Sequence, residues 1–248
     1  MSEEAGPPPV KRDVAPLKNV AVCFGALQTA LNRRNHLPGI VTIYGPSGWG
    51  KTVGALYASN CSRAYYTRVR SSWTKKALVS RILHEMGIEP ERTVYDMSEQ
   101  ASEQLALSGR PLVLDEGDHL VERGLVELVR DIHDSSNAAI LLIGEERLPQ
   151  KLKRFQRFHS RVLQWHPAQP ADFEDARQLR ELYCDRVRVG DALLRRICEH
   201  AQGSVRRICV SLEHAREEAL RRGLDRIDID TWGKAEIFTG DAPRRRIA

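Results

Sequence analysis

The octapeptide "GPSGWGKT", Gly45 to Thr52, limits what this chain can fold into more than any other stretch. It fits the phosphate-loop pattern G-x-x-x-x-G-K-[ST]. It also stands where that pattern has meaning, after the β-branched run "IVTIY" and before the helical stretch "KTVGALYASN". Glycines let the backbone curl until its N–H groups converge on phosphate oxygens, and the N-terminus of the next helix adds partial positive charge. In that geometry Gly45, Pro46, Ser47, Gly48, Trp49, Gly50, Lys51, Thr52 and Val53 enclose a nucleotide. Lys51 reaches the β- and γ-phosphates, and the Thr52 hydroxyl ligates Mg²⁺. No phosphate chemistry needs the indole of Trp49, which either packs over the loop or lies at a subunit contact.

A second feature points to ATP. "RPLVLDEGD" is apolar until it stops in Asp115 and Glu116. A buried strand that ends this way delivers its carboxylates to the sheet edge where α/β folds bind ligands. Asp115 is expected to hold Mg²⁺ through water, and Glu116 to act on the attacking water as general base or as orienter. Asp118 and His119 read as loop residues rather than metal ligands.

Strand and helix patterns alternate from "NVAVCFGALQTALNRR" to "SRVLQW", which predicts an α/β fold with a parallel sheet covered on both faces. From about Pro167 the pattern turns helical, with no strands. The expected organisation is a disordered arm over 1–18, an α/β core over 19–166, a small all-helical lid over 167–237 and a basic tail over 238–248. The tail carries Arg244 to Arg246, whose contact is either solvent or a polyanion. The formal net charge of +5 permits a polyanionic partner without requiring one. Five scattered cysteines form no C-x-x-C or zinc spacing, which suits free thiols in a reducing cytoplasm. No apolar run approaches the length of a membrane span, and the acidic, Pro-rich start lacks a signal-peptide core.

A helical region after a phosphate-loop core, with Asp-Glu at the second motif, resembles the AAA+ ATPases over about Asn19 to Trp232. The resemblance implies further roles. "GSVRR" is similar to the second sensor of that family, so Arg206, with Arg207 next to it, is expected to reach the γ-phosphate from the lid. "RFQRFHSRV" stands where the family places an arginine finger for a neighbouring subunit, which names Arg161 first, then Arg157 and Arg154. One position departs from the pattern. AAA+ proteins usually end their fourth strand in Asn, Thr or Ser, and here Gly144 and Glu145 follow "AAILLI". A carboxylate there cannot donate to phosphate unless protonated, so another residue substitutes or hydrolysis is slow.

Within AAA+, "GPSGWGKT" and "LLIGEERL" look most like the transposition ATPases of Mu-like phages and Tn7-type elements. That resemblance implies an ATP- and Mg²⁺-dependent, sequence-nonspecific helical filament on double-stranded DNA. It would be assembled head to tail from copies of this chain and would hand target DNA to a transposase in a bacterial cytoplasm, with hydrolysis driving disassembly. The family's accessory N-terminal DNA domain is not expected in the short stretch before Asn19. "TRVRSSWTKKAL" clusters Arg68, Arg70, Trp73, Thr74, Lys75 and Lys76, and Arg123 follows the Asp-Glu motif. Such a set suits backbone phosphates rather than base edges. A helicase-loader activity, or a DNA-coating protein with little hydrolysis, stays open beside this reading.

Overall fold

The computed structural model describes residues 14–233 and 235–240. The expected arm therefore lies outside the described residues over 1–13. The tail lies outside them over 241–248, including Arg244 to Arg246. Two compact units are present. One comprises Leu17–Ala171 with Gln202–Arg206, and the other is built chiefly from Asp172–Ala201 and the chain from Arg207 onward. Compactness thus cuts the chain a few residues past the expected 166 and groups "QGSVR" with the α/β unit instead of the lid.

The α/β unit opens with α1 (Lys18–Leu31), β1 (Ile40–Tyr44), α2 (Lys51–Ser62) and β2 (Tyr65–Arg68). Next come α3 (Lys75–Met86), α4 (Val94–Ser108), β3 (Leu112–Asp115), α5 (Asp118–Glu122) and α6 (Val126–Ser136). It closes with β4 (Ile140–Gly144), α7 (Leu148–Leu152), α8 (Gln156–His159) and β5 (Val162–Pro167). The five strands form one sheet in the order β2-β3-β4-β1-β5, and every pairing is parallel. Side chains alternate between its two faces. Ile40, Leu112, Leu114, Ile140 and Leu142 pack with Ile82, Met97, Leu105 and Ile132 from α3, α4 and α6. Val41, Ile43, Val113, Leu141 and Ile143 pack with Cys23, Leu27, Ala55 and Ala58 from α1 and α2. Burial on both faces is why these strands read as unbroken apolar runs.

Three expectations about elements are corrected. Asp118 and His119 lie in the short helix α5, not in a loop. The stretch "RLPQKLKRFQRFH", whose pattern predicts one continuous helix, is broken into α7 and α8. Leu148, Leu152 and Phe158 are all fully buried. Phe158 falls six residues after Leu152, about 120° round a 3.6-residue helix, and the break lets both side chains reach the core. Helix α4, which the sequence pattern places over "SEQASEQLALSG", begins four residues earlier, at Val94. Thr93 caps it by accepting the Asp96 N–H, and the Thr93 hydroxyl donates to the Asp96 carboxylate at 2.6 Å.

The second unit contains α9 (Phe173–Tyr183), α10 (Asp191–Ala201), most of α11 (Val205–Arg221) and α12 (Ile229–Trp232). A capping box between Asp172 and Asp175 starts α9. Its core is Leu179, Leu193, Leu194, Ile197, Ile208 and Leu212. The expectation of a purely helical lid does not hold. Arg188–Val189 (β6) and Arg226–Ile227 (β7) pair in parallel. Two-residue strands carry too little periodicity to be read from sequence. Among the described residues no helix is long and apolar enough to cross a membrane.

Candidate nucleotide site

Strand β1 lies between β4 and β5 and releases its chain at the C-terminal edge of the sheet, straight into "GPSGWGKT". Gly48 and Gly50 both have φ of 83°, the left-handed region that a residue with a Cβ resists. Space demands glycine there as well. A Cβ on Gly48 would lie 2.8 Å from the Ser204 Oγ, and one on Gly50 would meet Val205 at 3.4 Å. The Arg206 N–H donates to the Gly48 carbonyl at 3.1 Å. The segment 202–206 thus seats directly on the loop, with the Arg206 side chain exposed at its end.

The half-buried Trp49 lies beside Gly203, where a Cβ would stand 3.5 Å from its ring. Its carbonyl accepts an Asn19 amide N–H at 2.7 Å, and the same amide donates to the Gln169 carbonyl at 2.8 Å. Asn19 is buried and also accepts the Gln169 N–H at 2.8 Å. One side chain of α1 therefore ties the phosphate loop to the segment leaving β5. Sequence reading assigned Asn19 no role. A buried polar residue in an amphipathic helix was the available signal.

The Lys51 ammonium donates to the carbonyls of Gly45 and Pro46 at 2.7 and 2.8 Å. Burial pushes its pKa below the ordinary lysine value, and Asp115, Glu116, Glu145 and Asp118 pull the other way. The Thr52 hydroxyl has no hydrogen-bond partner among the described residues. Cys23 packs its thiol 3.6 Å from the Lys51 carbonyl. Burial first, then the Asp115 charge, push that thiol up to about 12, which leaves it protonated and inert.

Asp115 is buried at the end of β3. Its Oδ1 accepts the Glu116 N–H at 2.9 Å and its Oδ2 accepts the Tyr66 hydroxyl at 3.0 Å. Glu116 has φ of 59°, a conformation that costs a non-glycine residue about 1–3 kcal/mol and concentrates at functional sites. Its carboxylate pairs with Arg68 at 2.8 Å, on the exposed end of β2. Tyr66 and Arg68 are two residues apart on one face of β2, and each holds one of the two acids. The β2–β3 pairing that makes this possible is not visible in the sequence.

Thr52 and Asp115 are hard oxygen donors, which fits Mg²⁺ that takes its other ligands from phosphate and water. Among the described residues no cluster of three or more His, Cys, Asp or Glu side chains is placed to hold a metal alone.

Strand β4 separates β1 from β3 and ends in Gly144. A Cβ there would lie 2.5 Å from Leu148 Cδ2 and 2.6 Å from Asp118 Oδ2. The buried Asp118 carboxylate accepts the Glu145 N–H at 2.6 Å and the Lys151 ammonium at 2.7 Å. Lys151 also bridges to Glu122 at 3.0 Å. The missing polar side chain at 144 thus has a steric cause: the space belongs to Asp118.

The candidate finger arginines are spread over the route from α7 to β5. Arg161 lies at the start of β5, the sheet edge opposite the phosphate loop, where its carbonyl accepts the Ile40 N–H. A five-residue strand is about 16 Å long, so Arg161 cannot reach the loop of its own chain. Its guanidinium grips both oxygens of Asp134, at 2.6 and 3.1 Å. Arg157 is exposed on α8, and Arg154 lies over the Phe155 ring at 5.2 Å.

The candidate DNA residues divide likewise. Arg70, Lys75 and Arg123 are exposed, and all follow strands that end at the loop's edge of the sheet. Lys76 donates to the Arg92 carbonyl at 3.0 Å. Thr74 caps α3 through the Ala77 N–H. Trp73 is half-buried against the core.

Residues 33–152 match a family described as AAA domain. No curated protein matches the sequence. Among solved structures, the Aeropyrum pernix ORC2 protein in its ADPNP-ADP complexes aligns with a TM-score of 0.70 and 19% identity, over 89% of this chain and 68% of that one. The Aeropyrum pernix ORC1 protein in complex with DNA gives 0.63 and 20%, over 86% and 62%. The Thermotoga maritima RuvB Holliday junction branch migration motor gives 0.59 and 21%, over 86% and 66%. Residues 33–152 are therefore similar to an AAA domain, and the chain has the fold of these proteins.

Proposed function

We propose that this chain is an ATP- and Mg²⁺-dependent switch that coats double-stranded DNA without strong sequence preference. Copies associate head to tail and deliver the DNA to a transposase, and hydrolysis releases the assembly. The observation that carries the switch is the strained Glu116, poised beside the phosphate loop and held by an exposed arginine. Glu116 prepares the attacking water only when it is free to turn toward it. Arg68 belongs to the same exposed edge as Arg70, Lys75 and Arg123. A DNA phosphate that draws Arg68 away frees Glu116 and couples DNA binding to turnover.

When bound, Mg²⁺ neutralises charge developing on the phosphates. Thr52 and Asp115 would hold it, Lys51 would exchange the Gly45 and Pro46 carbonyls for phosphate oxygens, and Arg206 would approach from the segment seated on Gly48. The position of Arg161 on the far edge of the sheet favours action on a neighbouring copy. The transposase rests on the resemblance of "GPSGWGKT" and "LLIGEERL". A DNA ATPase of another type is the second reading, in line with the similarity to the ORC1 protein in complex with DNA and the RuvB branch migration motor.

Electron microscopy with ATP, with and without duplex DNA, tests the reading: filaments that need both are expected. Closed rings or monomers under every condition would sink the filament. Lys51→Ala is expected to abolish ATP-dependent DNA binding, and binding that stays unchanged would remove the switch. With backbone contacts only, affinity should fall steeply with salt and vary little with sequence.

A further inference from the structure

We propose that Tyr66 is a positioning residue for the magnesium-binding carboxylate: its hydroxyl fixes Asp115 in the orientation that meets the hydrated cation. This inference rests on reading the site as one for Mg²⁺ and ATP. Tyr66 is paired opposite Val113, two residues before Asp115. The length of the phenol lets its hydroxyl span that offset and donate to Oδ2 at 3.0 Å. The Glu116 N–H holds Oδ1. Both oxygens of a buried carboxylate are thus fixed by donors in different directions, one from the backbone and one from a neighbouring strand. Each oxygen still keeps accepting capacity for a metal-bound water.

A phenylalanine would fill the same half-buried space on β2. The hydroxyl is the one atom that packing does not require, and its bond goes to the acid that the cation needs. Donors that orient a metal-binding group typically change metal affinity 10–100-fold when removed. Without the Tyr66 hydroxyl, Asp115 is held only through Oδ1 and rotates about its own side-chain bond, so the cation has to order it on binding.

Tyr66→Phe tests this because it keeps the ring and removes only the donor. The probe is Mn²⁺, with free metal counted by electron paramagnetic resonance at fixed ATP and no hydrolysis read. The Mn²⁺ concentration for half-saturation of the protein–ATP complex is expected to rise about 10-fold. ATP affinity in EDTA and the melting temperature of the nucleotide-free protein are expected to match those of the wild type. Half-saturation within twofold of wild type would overturn the proposal. So would a loss of metal-free ATP affinity by the same factor as the metal effect, which would make Tyr66 a structural residue. Wild-type protein that shows no metal-dependent ATP binding would overturn the site reading itself, a result visible without any variant.

Discussion

The two edges of the one parallel sheet are built to opposite rules. At the N-terminal edge, polar groups close on one another. The buried His133 ring accepts the Gly39 N–H through Nε2 at 3.4 Å and bonds the Ala138 carbonyl through Nδ1 at 2.9 Å, which assigns the proton to Nδ1. Arg33 donates to the Ala30 carbonyl and the Asn137 side chain at 2.7 and 2.8 Å, and Arg161 grips Asp134. At the C-terminal edge Asp115 and Asp118 are held, but the groups around the loop keep exchangeable partners or none. Lys51 sits on two loop carbonyls, Thr52 has no partner among the described residues, and Glu116 combines a strained backbone with a solvent-facing ion pair. Satisfied polar networks rigidify, while strain and spare bonding capacity gather where a ligand completes the structure. One edge sets the frame, and the other is the edge proposed to take phosphate.

That contrast breaks most sharply at Glu116. Glu116→Gln keeps the site's shape and removes the proposed base or water orienter, so hydrolysis is expected to fall on the order of 10²–10⁴-fold with ATP binding retained. Phosphate release and calorimetric ATP binding, measured side by side, check it. Fast turnover would take Glu116 out of the mechanism. At Gly144 the open edge is expected to tolerate no added bulk. Gly144→Ala sets a methyl against Leu148 and Asp118 and should cost about 1–3 kcal/mol of stability in chemical denaturation. A variant as stable as wild type would mean that Asp118 and Lys151 move aside freely.

The closed edge is the acid-sensitive one. Burial, then repulsion from Arg33 and Arg161, push the His133 pKa below its ordinary value, while the Ala138 carbonyl and Asp134 oppose that shift. The unfolded chain then binds the proton more tightly than the folded one. The contribution is fully present above about pH 6.5 and is lost as pH falls through the lower folded-state value, at up to about 1.4 kcal/mol per pH unit. Melting curves from pH 8 to 5 should show a drop for wild type that His133→Asn lacks, and parallel curves would remove His133 as the cause. The smallest effect belongs to the exposed pair. Arg68→Ala frees Glu116 and should raise DNA-independent hydrolysis by no more than about fivefold, the worth of a screened surface ion pair. A fall in basal hydrolysis would show that Arg68 assists catalysis instead of restraining it.

Much of the active edge is legible in the chain because it is local. "GPSGWGKT" carries its own strand, loop and helix, and "LVLDEG" announces a buried strand that ends in acids. The partners of those acids are not local. Tyr66 lies 49 residues from Asp115, and Asn19 lies 150 from Gln169. The break between α7 and α8 was hidden for a related reason. "KLKRFQRFH" is a good helix by propensity, and its break goes with the burial of both Leu152 and Phe158 in the tertiary core.

The sequence by itself determined the parallel sheet, the phosphate loop and the acids aimed at it, because hydrophobic period and glycine placement act over a few residues. Tertiary structure alone decided that Tyr66 and Arg68 hold those acids, that Gly144 yields its space to Asp118, and that Trp49 lies against Gly203. It also decided that Arg161 faces away from its own site. Each of these depends on which strands become neighbours, and strand order is settled by the packing of the whole sheet.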